Sequence, residues 1–389
     1  MKTDNFYFAY KGQKSELFKI ALKTGILTTI TLGIYRFWAK TKVRQYIWSS
    51  AAAGQDRFEY HGTGFEKFFG FLIAIVVLAI YLGFVQLILI YFGLNLFQMT
   101  DDPTQVFAQT AAIYLNVLAI LPLVAYARYT ARRYKMTRTS WRGIRFGMDG
   151  HVWGYIWRDL FYSFLALVSL GVLTPLSTFR LEKYMTEQSY FGSARLEQNG
   201  KWTELYPAMK YIFFGVACLI AAAFISVSTL IFASIVGVLG YIVLLCGLVH
   251  YKVQSFGYLT KNKILNKTIS FNAAPETKAI LSIYILGGIL IVLTIGLFGA
   301  VFGGVTFALF SAWSIGVLGI LFAIFTYLGI YVLANALSLV WITQPVLEHM
   351  FSTVMLNNRS DLEKISKSVK KTTSDAEGFA DALDIGGAI

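Results

Sequence analysis

Three stretches of this chain contain no lysine or arginine: residues 68–127, 211–250 and 279–351. All 34 basic residues lie outside them, while Leu, Ile, Val, Phe, Ala and Gly run on inside them. In hydrocarbon a backbone has no water to bond, so an apolar run of about 20 residues crosses as a helix that satisfies its own N–H and C=O groups. Each stretch is long enough to cross twice. The chain therefore reads as an all-α polytopic membrane protein whose basic side is cytoplasmic. A hydrophobic fraction of 56% agrees, since soluble domains average about 45–50%. The net charge of +13 does not point to nucleic acid, because it sits in short loops beside apolar spans, where positive-inside bias puts it. The partners it suggests are anionic headgroups on the cytoplasmic side, at about 1 kcal/mol per basic residue.

Two shorter apolar segments, 17–38 and 160–179, need separate treatment. If both crossed, the loop 128–158 would face outward with eight basic residues, inverting the charge rule where it is strongest. If both enter and leave on one side, every Lys and Arg becomes cytoplasmic or interfacial. Breakers support the second choice: Gly25 and Leu32-Gly33 in one segment, Leu170-Gly171 and Thr174-Pro175 in the other. These two are expected to be re-entrant or interfacial helical segments. Six crossings remain, as hairpins 68–92 with 109–127, 211–226 with 228–249, and 279–300 with 316–344. Both termini are then cytoplasmic. Asp101 and Asp102 are the only charges expected outside. No cleavable leader is expected, because residues 1–16 are polar.

Shifting the chain by 138 residues aligns 12–66 with 150–204 without a gap. Gly12 meets Gly150, Leu32-Gly33 meets Leu170-Gly171, Tyr46 meets Tyr184, Arg57 meets Arg195, and Glu66 meets Glu204. This marks an internal duplication. The expected organisation is a first repeat (1–138), a second (139–266), a third transmembrane hairpin (267–357) and a mobile tail (358–389). A short alternating element ending at Gly or Pro also recurs, at "NFYFAYKG", "DRFEYHGTG", "GIRFGMDG", "SARLEQNG" and "TISFNAAP". These predict five short cytoplasmic β-strands. Four have a large apolar residue 12 positions before the central strand residue: Tyr46, Tyr134, Tyr184 and Leu259.

The strings "LTTITLGIYRFWAKTKVRQYIW" (27–48), "RFEYHGTGFEKFFGF" (57–71) and "TSWRGIRFGMDG" (139–150) resemble the YjgN family of bacterial inner-membrane proteins. The resemblance extends to about residue 350. It implies a multi-pass inner-membrane location in Gram-negative bacteria. It carries no established activity, and so no functional residues.

The sequence has no phosphate-cradling glycine loop, nucleophile elbow or paired histidines at metal spacing, so no enzyme or cofactor is expected. His61, His151, His250 and His349 are widely separated and lack equivalents across the duplication. Cys218 and Cys246 lie in apolar runs and read as small packed hydrophobes. Burying an amide in lipid is costly, which singles out Gln86, Asn116, Asn335 and Ser338 as candidate intramembrane polar contacts. Helix-to-helix hydrogen bonding explains them as well as a solute path does. Gly299 and Gly303 offer a small face for close helix contact. Arg128, Arg132, Arg133, Lys135, Arg138 and Arg142 are candidate contacts for anionic lipid. Two functions fit: a transporter or channel-like protein for a small or lipid-like solute, and a non-enzymatic scaffold presenting a basic cytoplasmic platform. The duplication, broken segments and intramembrane amides favour transport, although no charge sits mid-span.

Overall fold

The computed structural model describes residues 6–94, 102–226, 229–311 and 316–366. Its repeating element is a long strand, two helices and a short strand, used five times. The first copy is β1 (Phe6–Tyr10), α1 (Lys14–Ile30), α2 (Arg36–Ser50) and β2 (Ala51–Ala53). The second is β3 (Asp56–Tyr60), α3 (Gly64–Tyr91), α4 (Pro103–Thr137) and β4 (Thr139–Trp141). The third is β5 (Ile144–Met148), α5 (Val152–Val168), α6 (Thr174–Glu187) and β6 (Ser189–Phe191). In the fourth, β7 (Ala194–Gln198) leads through a 3-10 turn (Trp202–Met209) into α7 (Lys210–Ile225), followed by α8 (Leu230–Lys261) and β8 (Lys263–Leu265). The fifth has β9 (Ile269–Ala273), α9 (Thr277–Ser311) and α10 (Gly316–Ser338). A π turn (Leu339–Thr343) then leads to α11 (Gln344–Ser352), β10 (Val354–Leu356) and a final turn of helix, α12 (Arg359–Leu362).

The strands close into a ten-stranded antiparallel barrel, in the order β1-β10-β9-β8-β7-β6-β5-β4-β3-β2. This corrects the all-α expectation: the protein has a closed β-sheet as well as its helices. The five expected strands are β1, β3, β5, β7 and β9, and each short strand adds a rung between two of them. Tyr10 pairs with Ala51 and Met148 with Ser189, while Ala53 pairs with Asp56 and Phe191 with Ala194. β10 joins β9 to β1, through Leu356 opposite both Phe271 and Phe6. Two-residue turns at Gly54-Gln55, Arg142-Gly143 and Ser193 with Gly192 suit tight hairpins, and Gly54, Gly143 and Gly192 all take positive φ.

The chain forms two compact units, one of residues up to Glu59 with Glu197–Ile365, the other centred on Tyr60–Leu196. In both, each hairpin is tied at its base in the same way. The N–H after the long strand bonds the carbonyl before the short strand: Lys11 to Ser50, His61 to Arg138, Asp149 to Gln188 and Asn199 to Asn262, at 2.7–2.9 Å. Five residues before each short strand stands a clasp. The hydroxyls of Tyr46, Tyr184 and Tyr258 bond the backbone of Gln13, His151 and Lys201, each three residues past its strand. In the fifth copy His349 Nε2 accepts from the N–H of Glu276 at the same offset, and in the second Tyr134 donates to Glu66. Tyr258, rather than the expected Leu259, holds this position because the turn between β8 and β9 has three residues instead of two.

Among the described residues, six helical segments are long and apolar enough to cross a membrane: Gly64–Tyr91, Pro103–Thr137, Trp202–Ile225, Leu230–Lys261, Thr277–Ser311 and Gly316–Ser352. They match the three expected hairpins but extend further. α4 already starts at Pro103 and α9 runs to Ser311, so much of the expected outer loops 93–108 and 301–315 is helix. Asp101 lies outside the described residues. The tail is ordered at its start, where Leu362 and Ile365 are buried; residues 367–389 are outside the described set.

Close glycine packing occurs at Gly215 and Gly247 in the fourth copy and at Gly287 in the fifth, where a Cβ would stand 2.6 Å from Trp341 O, rather than at Gly299 and Gly303. A Cβ at Gly215 would stand 2.8 Å from Leu244 N, and one at Gly247 2.8 Å from Ile212 N, whereas Gly303 has open space. Gly247→Val is therefore expected to force α7 from α8, at about 1–3 kcal/mol. Gly303→Ala is expected to be neutral or, by helix propensity, stabilising by up to about 1 kcal/mol. Thermal unfolding in detergent distinguishes the two, and equal losses would contradict this packing.

Candidate functional site

The first and third copies differ from the others in having short hairpins, and their tips are built alike. At each tip a leucine and a glycine turn the chain in left-handed backbone, with φ of 50° and 93° at Leu32-Gly33 and 51° and 87° at Leu170-Gly171. The N–H of Gly33 bonds Thr28 O at 2.8 Å, and that of Gly171 bonds Ala166 O at 2.7 Å. Thr31 Oγ1 accepts from Tyr35 N–H, as Ser169 Oγ does from Leu173 N–H. Helix ends leave backbone groups open. Here the turn and a hydroxyl satisfy several of them, which suits a low-dielectric surrounding.

The leucines are the unusual part. A side chain in left-handed backbone costs roughly 1–2 kcal/mol, which Gly avoids. Leu32 and Leu170 nonetheless hold it, and both are 94% exposed. In water this combination gains nothing, since the strain is not offset by burial. Against hydrocarbon the exposed side chain is well placed.

Each tip stops partway along a longer neighbour. In one unit α1 packs on α10, where a Cβ at Gly25 would meet Val332 Cγ1 at 2.8 Å. Leu32 is seven residues further, about 10 Å of helix, while α10 continues sixteen residues to Gly316, about 24 Å. In the other unit Asp159 on α5 faces Arg128 on α4. Leu170 is eleven residues beyond, about 16 Å, whereas α4 runs twenty-five residues from Arg128 back to Pro103, about 37 Å.

The exposed faces grade from polar base to apolar tip. On α1 the exposed side runs Lys19, Lys23, Ile26, Ile30. On α5 it runs Trp153, Trp157, Phe161, Phe164 and Val168, with the two tryptophans 74% and 70% exposed. The opposite face of α5 is packed: Tyr155 and Ile156 join Ala125, Tyr129 and Met148 in a buried cluster. Arg158 folds back toward the base, donating to Gly154 O at 2.8 Å with its guanidinium over the Tyr184 ring. Such a return of charge to the polar end is snorkelling.

The expected lipid-contacting residues divide into two groups. Arg132 makes a bidentate pair with Glu182 at 2.6 and 3.0 Å, and Arg138 one with Glu66 at 3.2 and 2.9 Å. Arg133 donates to Met148 O at 3.2 Å. These three are occupied in holding the base together. Arg128 is exposed and reaches Asp159 at 3.4 Å. Arg142 is exposed, its guanidinium 4.6 Å from the Trp141 ring centre, and Lys135 lies in the last turn of α4.

The two intramembrane asparagines each bond their own helix. Asn116 donates to Ala112 O and Asn335 to Tyr331 O, both at 2.8 Å and both one turn back on their own helices. Gln86 is partly exposed on α3, and Ser338 ends α10 at the π turn. Three of the four histidines serve the base: His61 bonds Ser140 Oγ, His250 bonds Thr277 Oγ1, and His349 is a clasp. Sequence reasoning missed the tryptophan-led face of α5, whose exposed positions recur every three or four residues and carry a helical signal.

A family profile described as "Bacterial protein of unknown function (DUF898)" matches residues 5–382. The chain belongs to the DUF898 family. Relatives include "Inner membrane protein YjgN" of Escherichia coli O157:H7, 26% identical over 178 residues, which cover 46% of this chain and 40% of that protein. The protein of the same description in Salmonella typhimurium strain LT2 is 25% identical over 169 residues, covering 43% of this chain and 38% of the relative. The chain thus matches less than half the length of these relatives. No solved structure matches it. With six apolar helices among the described residues, this member of DUF898 is a membrane protein.

Burial raises the Asp159 carboxyl above the usual range, and Arg128 offsets this only in part. A raised folded value means the folded state binds the proton more tightly than the unfolded chain. Stability contributed by this group is then full at low pH and falls as pH rises from the ordinary carboxylate value through the raised one. Asp159→Asn is therefore expected to match or exceed the native protein in stability at pH 7, by up to about 1 kcal/mol, with the advantage vanishing in acid. Thermal unfolding across pH checks the sign. A large loss at pH 7 would mean that the Arg128 pair dominates.

Proposed function

We propose that the protein is a bacterial inner-membrane protein that moves lipid-like amphiphiles between leaflets, with its basic strand-bearing side and both termini cytoplasmic. The observation that carries this reading is the pair of strained, exposed leucine tips ending partway along spanning neighbours. With the charged bases at headgroup level, the tips lie about 10–16 Å into a hydrocarbon core about 30 Å thick. Both short hairpins are then re-entrant in the cytoplasmic leaflet. A spanning helix beside a half-depth hairpin leaves a step at mid-bilayer, where a headgroup crosses a shorter apolar path. A water-filled channel lined by amides is less well supported, because Asn116 and Asn335 already bond their own helices. The lipid headgroups fit best at exposed Arg128 and Arg142, and at Lys19 and Lys23 below the first tip.

A scaffold reading is favoured by one further observation. Within one unit, Arg145 and Arg195 occupy the same second position of β5 and β7 and both are exposed, Arg195 with Asp149 as its partner at 2.8 Å. Such a pair offers a basic surface to a partner.

The test is a scrambling assay in vesicles of phosphatidylethanolamine and phosphatidylglycerol carrying a trace of dye-headed lipid. Dithionite is expected to bleach well over half of the dye when the full chain is present, and only the outer half with Leu32→Asp and Leu170→Asp together. If the native protein leaves the inner half untouched, lipid movement is refuted and the scaffold reading stands.

A further inference from the structure

We infer that the protein is a one-leaflet wedge, favouring membrane that is convex on its basic side. The inference shares with the proposed function the half-depth placement of the tips, but it requires no lipid to move.

Within each unit, one hairpin stops short while the others continue. In one unit α1 and α2 stop short while α7 to α10 continue, and in the other α5 and α6 stop short while α3 and α4 continue. At a helix diameter of about 10–12 Å, the two extra cross-sections in each unit add about 150–230 Å² to one leaflet and none to the other. An area mismatch of this kind is relieved when the crowded leaflet is on the outside of a bend.

Three features fix which leaflet is crowded. Both short hairpins start and end on strands whose flanks hold the basic residues, so both enter from the basic side. Exposed Trp153 and Trp157 stand at the base of α5, the level that amphipathic rings prefer. Lys19 and Lys23 stand at the equivalent end of α1, with apolar Ile26 and Ile30 beyond them. The first hairpin is the shallower on its return side, since Arg36 follows the tip by only four residues and is exposed.

The wedges are also stiff enough to act. The third hairpin is braced by the Arg132–Glu182 bidentate pair and by the buried cluster around Tyr129 and Tyr155. The first is braced by α10 at Val332 and by the Tyr46 clasp. A loose helix can tilt away from lateral pressure, but one fixed at its base transmits it.

The experiment pulls tubes from giant vesicles of phosphatidylethanolamine and phosphatidylglycerol containing the full chain with a small dye at its N-terminus. External dithionite bleaches molecules whose basic side faces out, so the two orientations are counted separately in one tube. Outward-facing molecules are expected to be enriched in the tube over the vesicle body, and inward-facing molecules depleted. With Leu32→Asp and Leu170→Asp together, both ratios are expected to return to one. Equal ratios for the two orientations of the native protein would overturn the wedge, and this comparison does not depend on the variant folding. Scrambling measured in the same lipid separates the two readings: curvature sorting without lipid movement sinks only the transport function, and lipid movement without sorting sinks only the wedge.

Discussion

A single kind of bond organises this chain. In four of the five copies the N–H just after the long strand meets the carbonyl just before the short strand. It closes the base of a helical hairpin whatever the length of its arms. Because the base is the same, the hairpin above it is free to span or to stop, and the copies differ mainly in that choice. The clasp five residues before each short strand reinforces the closure with a tyrosine or histidine. A second contact links neighbouring copies ten residues before the short strand. There Tyr129 bonds Asp149 O, and Gln344 bonds Gly12 O.

On that common base the short hairpins stand out by their chemistry. Two leucines accept left-handed backbone at full exposure, while their turns satisfy the backbone with hydroxyls at Thr31 and Ser169. Strain persists where surroundings repay it, and hydrocarbon is the surrounding that suits an exposed leucine. Charge is meanwhile retained at the base, where Arg132 and Arg138 pair with Glu182 and Glu66. The basic residues thus divide between those that hold the base together and those, such as Arg128 and Arg142, that are exposed.

Much of this was legible in the sequence. Six spans follow from the charge-free stretches, because hydrocarbon excludes Lys and Arg more strictly than any packing rule. The five long strands follow from alternation. The short strands carry no such signal: Ala51-Ala52-Ala53 are helix formers directly after a helix, and only pairing with β1 and β3 makes them a strand. Barrel closure was hidden for the same reason. The five copies read as a twofold duplication because a shift of two copies sets short hairpin on short hairpin, whereas a shift of one sets short on long and needs gaps. One extra turn residue moved the clasp from Leu259 to Tyr258. The bonding of Asn116 and Asn335 to their own helices one turn back is a choice that spacing does not reveal.

The depth of the two leucine tips decides whether the short hairpins are re-entrant. Its most direct measurement is depth-dependent quenching of a label at Leu32→Cys and, separately, Leu170→Cys, with Cys218 and Cys246 replaced, in bilayers carrying quenchers at graded positions along the acyl chain. The prediction is strongest quenching near the bilayer centre at both sites, with neither label reached by aqueous thiol reagents from either face. Labelling from the face opposite the basic side would mean that the hairpins cross, and quenching confined to headgroup depth would mean that they lie on the surface; either result contradicts the account.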